Sequence, residues 1–307
     1  MNRRVVGAGI ACLFVSSAAG QVIDPFYAGS YTYTDLGSAP DVPPLYGGLT
    51  VLAGSPNTLL LGGNANGALG ALYAVGVTRD GAGHITGFTG TTTLFASAEY
   101  NDGGVCYGPN GVLFASRWPV NELGQYLPGS TTPDKVINLA PLGIAQSHAS
   151  IQFVPAGYSG AGRMKLASWS GGEFYDATYT PDGMGTFDIV SAVQTATLPG
   201  GPEGFVYVPL GSPLFSGPSM LVSEFSAGNV AVYDVDANGD PIVGSRRDFI
   251  TGLSGAEGAH IDPYTGDFLF STFGGGDRVI VVQGFVPAPG ALGIACGAGL
   301  LAFRRRR

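Results

Sequence analysis

Cysteine is nearly absent from this chain, positive charge is scarce, and uninterrupted apolar runs are confined to its two ends. Of three cysteines in 307 residues, Cys12 and Cys296 lie in those ends, so Cys106 stands alone in the body and no intramolecular disulfide can form there. A body of about 265 residues without such staples is held by its own core, which a chain of that size can supply. Charged residues make up 12% of the sequence, with 14 Lys and Arg against 22 Asp and Glu. Six of the basic residues (Arg3, Arg4 and Arg304 to Arg307) fall in the end segments, which carry no acid, leaving eight against 22 and a body near −14. Nucleic acid and anionic lipid repel such a body, which excludes both as its partners. Histidine is also rare: only His84, His148 and His260 could serve as a base. There is no HExxH, CxxC, GxSxG or phosphate loop, and no 10-residue stretch of the body has helical spacing of apolar residues.

What the chain has in quantity is glycine, 51 residues, with 21 prolines and a 45% hydrophobic content. It is too apolar for disorder and too often interrupted for long helices, so an all-β protein with many tight turns is expected. The N-terminus, MNRRVVGAGIACLFVSSAAGQ, runs from Arg3 and Arg4 through an apolar stretch to small residues. That order is a secretory signal peptide over residues 1–20, and it implies export.

The last 22 residues read VPAPGALGIACGAGLLAFRRRR. Gly290 to Phe303 would span about 21 Å as a helix, short of a hydrocarbon core of roughly 30 Å, and the arginines after it would stay cytoplasmic. A proline motif, a short apolar helix and a terminal arginine cluster in that order resemble the PEP-CTERM sorting signal. Val286, Pro287, Ala288 and Pro289 stand where that family has Pro-Glu-Pro, with Ala288 replacing the acid, and Arg304, Arg305, Arg306 and Arg307 form the cluster. The resemblance implies an exosortase-like processing enzyme as partner, membrane attachment through residues 286–307 before processing, and a destination in the cell envelope or outside the cell. A plain C-terminal anchor is the other reading of the same segment.

Between the ends, residues 21–285 repeat. Glu203 and Glu257 are 54 residues apart, as are Pro209 and Pro263; Pro155, Pro109 and Pro56 continue the series backwards at steps of 54, 46 and 53. Each proline is followed by a short apolar strand, usually a serine with an aromatic close behind, then a turn and another strand. TRDGAGH, TPDGMG and DANGDP supply further turns, whose Asp-Gly and Asn-Gly pairs suit two-residue hairpins. A period near 50 with about four strands per unit predicts a β-propeller of five or six blades, with residues 22–45 supplying strands that close the ring. Two β-sandwiches are the main rival. The Gly-Pro-Glu-Gly and Pro-Asn-Gly junctions resemble those of the NHL and SMP-30/gluconolactonase-like propellers.

If the segment before each proline is the innermost strand, Asp102, His148, Glu203 and Glu257 stand near its start on four consecutive units and face the channel. Convergent oxygen ligands suit calcium, and His148 would favour a softer divalent ion. The SMP-30-like resemblance implies the same, a divalent metal at acidic channel residues. Blade-junction hydrogen bonding is the alternative role for the two glutamates. Asp234 to Gly239 begins like an EF-hand loop, but Ser245 holds the twelfth position, so a hairpin is expected there. Trp118, Trp169, Phe225 and Phe273 recur at similar places and are expected to pack between blades. No catalytic residue is assigned. The expected function is an exported binding or structural module, leaning away from an enzyme; the alternative is a calcium-dependent hydrolase or lactonase of the SMP-30-like type.

Overall fold

The computed structural model describes residues 20–284. The expected signal segment, apart from Gly20, and the sorting segment over 286–307 lie outside the described residues.

The chain forms five four-stranded antiparallel blades. Two short strands come first, β1 (Val22–Ile23) and β2 (Thr32–Asp35). Blade 1 is β3 (Leu49–Val51), β4 (Thr58–Gly63), β5 (Ala71–Arg79) and β6 (Ile85–Ser97). Blade 2 is β7 (Asn101–Tyr107), β8 (Leu113–Arg117), β9 (Glu122–Tyr126) and β10 (Lys135–Asn138). Blade 3 is β11 (His148–Phe153), β12 (Met164–Ser168), β13 (Glu173–Pro181) and β14 (Phe187–Thr197). Blade 4 is β15 (Pro202–Tyr207), β16 (Ser219–Glu224), β17 (Asn229–Asp234) and β18 (Arg247–Thr251), with β1 added outside β18. Blade 5 takes β19 (Ala256–Ile261), β20 (Phe268–Thr272) and β21 (Val279–Gln283) from the C-terminal side and its outermost strand, β2, from the N-terminal side. The ring is thus closed by the segment expected to close it, and the blade number is five.

Both faces of every blade are covered by neighbours, so the middle strands are continuous apolar runs rather than alternating ones. In β4, Leu60 enters the core between blades 1 and 2, while Leu59 and Leu61 enter the core between blades 5 and 1. In β20, Leu269 joins blade 1 and Phe268 and Phe270 join blade 4. Successive side chains of a strand point to opposite faces, which divides each run between two interfaces and yields five separate cores. The seam between blades 5 and 1 also carries an ion pair, Arg79–Asp262 at 2.5 Å, and a hydrogen bond between His84 Nδ1 and Asp267 at 2.7 Å.

The Asp-Gly and Asn-Gly turns are longer than the two-residue hairpins expected. Asp80, Asp182 and Asp236 each donate their amide to the carbonyl four residues on, and each carboxylate accepts the amide two residues on. The side chain does part of what a tight turn's backbone would do, and the third residue after each aspartate is a glycine at positive φ (Gly83, Gly185, Gly239). Asp234–Gly239 is therefore a hairpin turn, as expected.

Candidate metal centre and ligand pocket

Where each inner strand begins, its ladder slips. Asn101 pairs with Arg117 and Val105 with Ala115; Pro202 pairs with Glu224 and Phe205 with Val222; Ala256 pairs with Thr272 and Ala259 with Phe270. The extra residues form bulges, which re-aim side chains. They contain Asp102, Glu203 and Glu257. A serine on the second strand secures two of the bulges: Ser116 Oγ accepts the Gly104 amide and donates to the Ala149 carbonyl of blade 3, and Ser271 Oγ accepts the Gly258 amide and donates to the Gly47 carbonyl of blade 1.

Glycines let the five inner strands meet. A Cβ on Gly204 would lie 2.4 Å from the Ala259 nitrogen, and one on Gly103 would lie 2.8 Å from the Gly204 nitrogen. The second contact joins blades 2 and 4, which are not neighbours in the ring, so backbone fills the axis at this level. The propeller has a closed waist, with a separate cavity at each end.

At the end where the inner strands begin, Asp102, Glu203 and Glu257 converge, with one carboxylate oxygen of each within 4.8 Å of the others. They are 1%, 5% and 1% exposed. Asp102 Oδ2, Glu203 Oε2 and Glu257 Oε1 have no hydrogen-bond partner, and none of the three enters an ion pair among the described residues. With its amide turned to satisfy both ends, Asn66 donates to Asp102 Oδ1 at 2.9 Å. Burial holds the Asp102 carboxyl up at about 7. Burial, then repulsion from the neighbouring carboxylates, lifts Glu203 and Glu257 well above the usual carboxylate range. Without a cation, burial and mutual repulsion oppose ionising the three acids together; a hard divalent ion fits their all-oxygen set and would satisfy the orphaned oxygens.

His148, expected with them, stands elsewhere. It is fully buried with its ring between the carbonyls of Glu122 and Ser150, each 3.1 Å away, and burial pushes it down to about 4. In register it pairs with Ser168, matching Asn101, Pro202 and Ala256; the position that matches the acids is Ala149. An offset of one residue turns a strand side chain to the other face, and with His148 goes the case for a softer ion.

Above the acids lies a cavity of about 170 Å³ lined by Asn66, Trp118, Trp169, Glu203, Phe225, Glu257 and Phe273. The four aromatics, expected between blades, instead form an arc around this mouth. Each follows the second strand of blades 2 to 5 at once. Their centroids lie 6.4 Å (Trp118–Trp169), 6.1 Å (Trp169–Phe225) and 6.1 Å (Phe225–Phe273) apart, with planes at 86°, 89° and 66°. Trp169 Nε1 donates to Ser226 Oγ at 3.1 Å, and its edge crosses Gly201, whose φ of +72° and missing Cβ leave the space. Blade 1 has Asn64 at the equivalent place and contributes Asn66 instead. The recurring serine-plus-aromatic pattern was the sequence signal for this collar.

The opposite end opens into a cavity of about 340 Å³ whose wall includes Thr50, Cys106, Gln152, His260 and Tyr264. His260 lies 3.4 Å from the Thr50 hydroxyl, and burial pushes it down to about 4. His84 is engaged by Asp267 across the blade seam.

Fold and site together define a five-bladed β-propeller with three buried acids at one mouth. No family model matches the chain, and no curated protein does. Among solved structures, a proposed 6-phosphogluconolactonase from Bacteroides uniformis is 14% identical with a TM-score of 0.42, covering 76% of this chain, which spans 66% of that one. An auxiliary nutrient binding protein from Bacteroides ovatus is 12% identical (TM-score 0.43; 82% of this chain, 77% of that one). A proposed gluconolactonase is 14% identical (TM-score 0.42; 88% and 87%). Likeness at this level carries no argument about activity; the fold stands on the strand pairing.

Proposed function

We propose that the protein is an exported binding module of the cell envelope whose ligand pocket is the aromatic-rimmed mouth, and that Asp102, Glu203 and Glu257 hold a divalent cation, calcium, at its floor. The observation that supports this is three buried carboxylates, each with an orphaned oxygen, beside a cavity and without a basic partner. Elemental analysis of the purified protein should find one ion per chain, lost when Glu203 and Glu257 are both replaced by Gln. A metal-free protein that gains no stability from added calcium would overturn the reading. Residues 1–20 and 286–307 complete it as export and sorting segments, with an exosortase-like enzyme as processing partner. Replacing Arg304 to Arg307 by Ser should then alter the protein's distribution between membrane and medium.

One observation favours a second reading, a metal-dependent hydrolase or lactonase. Glu203 and Glu257 line the cavity, so an ion held by them would present an open face to a ligand. Such an ion would polarise a carbonyl and acidify a bound water. Calcium-dependent lactone hydrolysis abolished in the Glu203→Gln variant would select it.

A further inference from the structure

The collar and the floor together specify what enters. The groups lining the mouth are four aromatic side chains, two carboxylates and the Asn66 amide, with no Lys, Arg or His among them. A neutral polyhydroxylated ligand needs donors and acceptors in alternation. This floor offers carboxylate oxygens, and of its three candidate donors Asn66 and Trp169 Nε1 are engaged by Asp102 and Ser226, leaving the Trp118 indole N–H alone against them. The cavity's 170 Å³ is below the roughly 300 Å³ at which drug-sized pockets begin, so it admits a head group rather than a whole elaborate molecule. Trp118 and Trp169, and Trp169 and Phe225, stand nearly perpendicular, as adjoining walls do, and Phe273 closes on Phe225 at 66°. A cation about 4.5 Å in front of two perpendicular ring faces sets their centroids about 6.4 Å apart, within the reach of a cation–π contact. Trp118 and Trp169 have that 6.4 Å separation.

We infer that the mouth binds an organic ammonium head group, its methyl or methylene faces against Trp118, Trp169, Phe225 and Phe273 and its positive charge toward Glu203 and Glu257. The arc is open at blade 1, where a second cavity of about 440 Å³ shares Asn66 and Phe273 and continues past Leu45 and Leu69. Leu69 is 82% exposed. The remainder of the ligand leaves by that gap. The inference rests on the mouth being the ligand pocket, and it does not require calcium: without it the head group's own charge favours the ionised form of Glu203 and Glu257, and with a divalent ion bound three carboxylates still leave one net negative charge facing the collar.

The chain's only two tryptophans are both in the collar, so its intrinsic fluorescence reports on this pocket directly. The probes are choline and 3,3-dimethyl-1-butanol, its uncharged counterpart of the same shape. In chelator, choline should change the fluorescence saturably, and calorimetry should find it at least tenfold tighter than the alcohol. Trp169→Ala, on a half-buried rim residue, should weaken choline about tenfold; Trp118→Phe, which keeps a ring, should weaken it less; and Glu203→Gln should narrow the gap between choline and the alcohol. Equal affinity for both probes, or choline binding untouched by Trp169→Ala in a protein that melts normally, overturns the inference. Calcium binding is measured separately. Choline binding without calcium binding leaves this inference standing and removes the metal, whereas calcium binding with no preference for choline does the reverse.

Discussion

Replacing Asp102 by Asn should stabilise the metal-free protein, contrary to the usual result of altering a buried polar residue. Asn keeps the shape and the oxygen that Asn66 addresses, and it removes one of three confined negative charges. Burial lifts the Asp102 carboxyl from 3.8 to about 7. About three units at about 1.4 kcal/mol each means that holding it ionised opposes folding by on the order of 4 kcal/mol. The sign follows from the direction of the shift: a group raised on folding gives its full stability below its unfolded value, near 4, and loses it as pH climbs through 7. The wild-type protein in chelator should therefore weaken between pH 5 and pH 8, and the variant should not share that part of the decline. At pH 8 in chelator the variant should melt roughly 10 °C higher, taking about 2–4 °C per kcal/mol for a domain of this size. The advantage should vanish near pH 4. Calcium at a hundred times its dissociation constant should restore about 2.7 kcal/mol to the wild type and nothing to the variant. Thermal unfolding by circular dichroism reads all four conditions, and a variant that melts at or below wild type in chelator at pH 8 would refute the reasoning.

Two further outcomes test the scaffold. Gly204→Ala places a methyl 2.4 Å from the Ala259 nitrogen and should lower stability by at least the 1–3 kcal/mol typical of overpacking, read as a shift in urea midpoint; an unchanged midpoint would mean that the waist is looser than described. Lys165 is fully buried between Asp240 at 2.6 Å and Asp176 at 3.4 Å, so Lys165→Met should cost about 3–5 kcal/mol by stranding Asp240, and Lys165→Met with Asp240→Leu should recover part of that loss in the same urea titration.

The propeller was legible because blades 2 to 5 repeat one pattern of strand, serine, aromatic and turn, and because Gly, Asn and Asp mark most of the turns. The blade number was open, since blade 1 enters through an inner strand of three residues and its glycines replace the acid-bearing bulge. Three of the four residues expected at the channel converge. His148 does not, because counting back from Pro155 cannot reveal that the ladder slips after His148 in blade 3, and one residue decides which face a side chain takes. The collar was visible as a recurrence, yet recurrence alone fits packing as well as a pocket rim. What decides is that each aromatic follows the last residue of its strand, where the blade has ended and no neighbouring sheet remains to cover it.

Blade 5 joins the two sides of the chain: Thr32 pairs with Gln283 and Asp35 with Ile280. These partners are about 250 positions apart, and the closure entropy of so large a loop must be met before any of their hydrogen bonds form. A nascent chain can thus build blades 1 to 4 in order while β2 waits without a partner, and the ring becomes a ring only when β21 has emerged. Until that moment the last blade presents an open edge, so a chaperone acting on this protein would have most to do at its final strand, with the rest of the fold already in place.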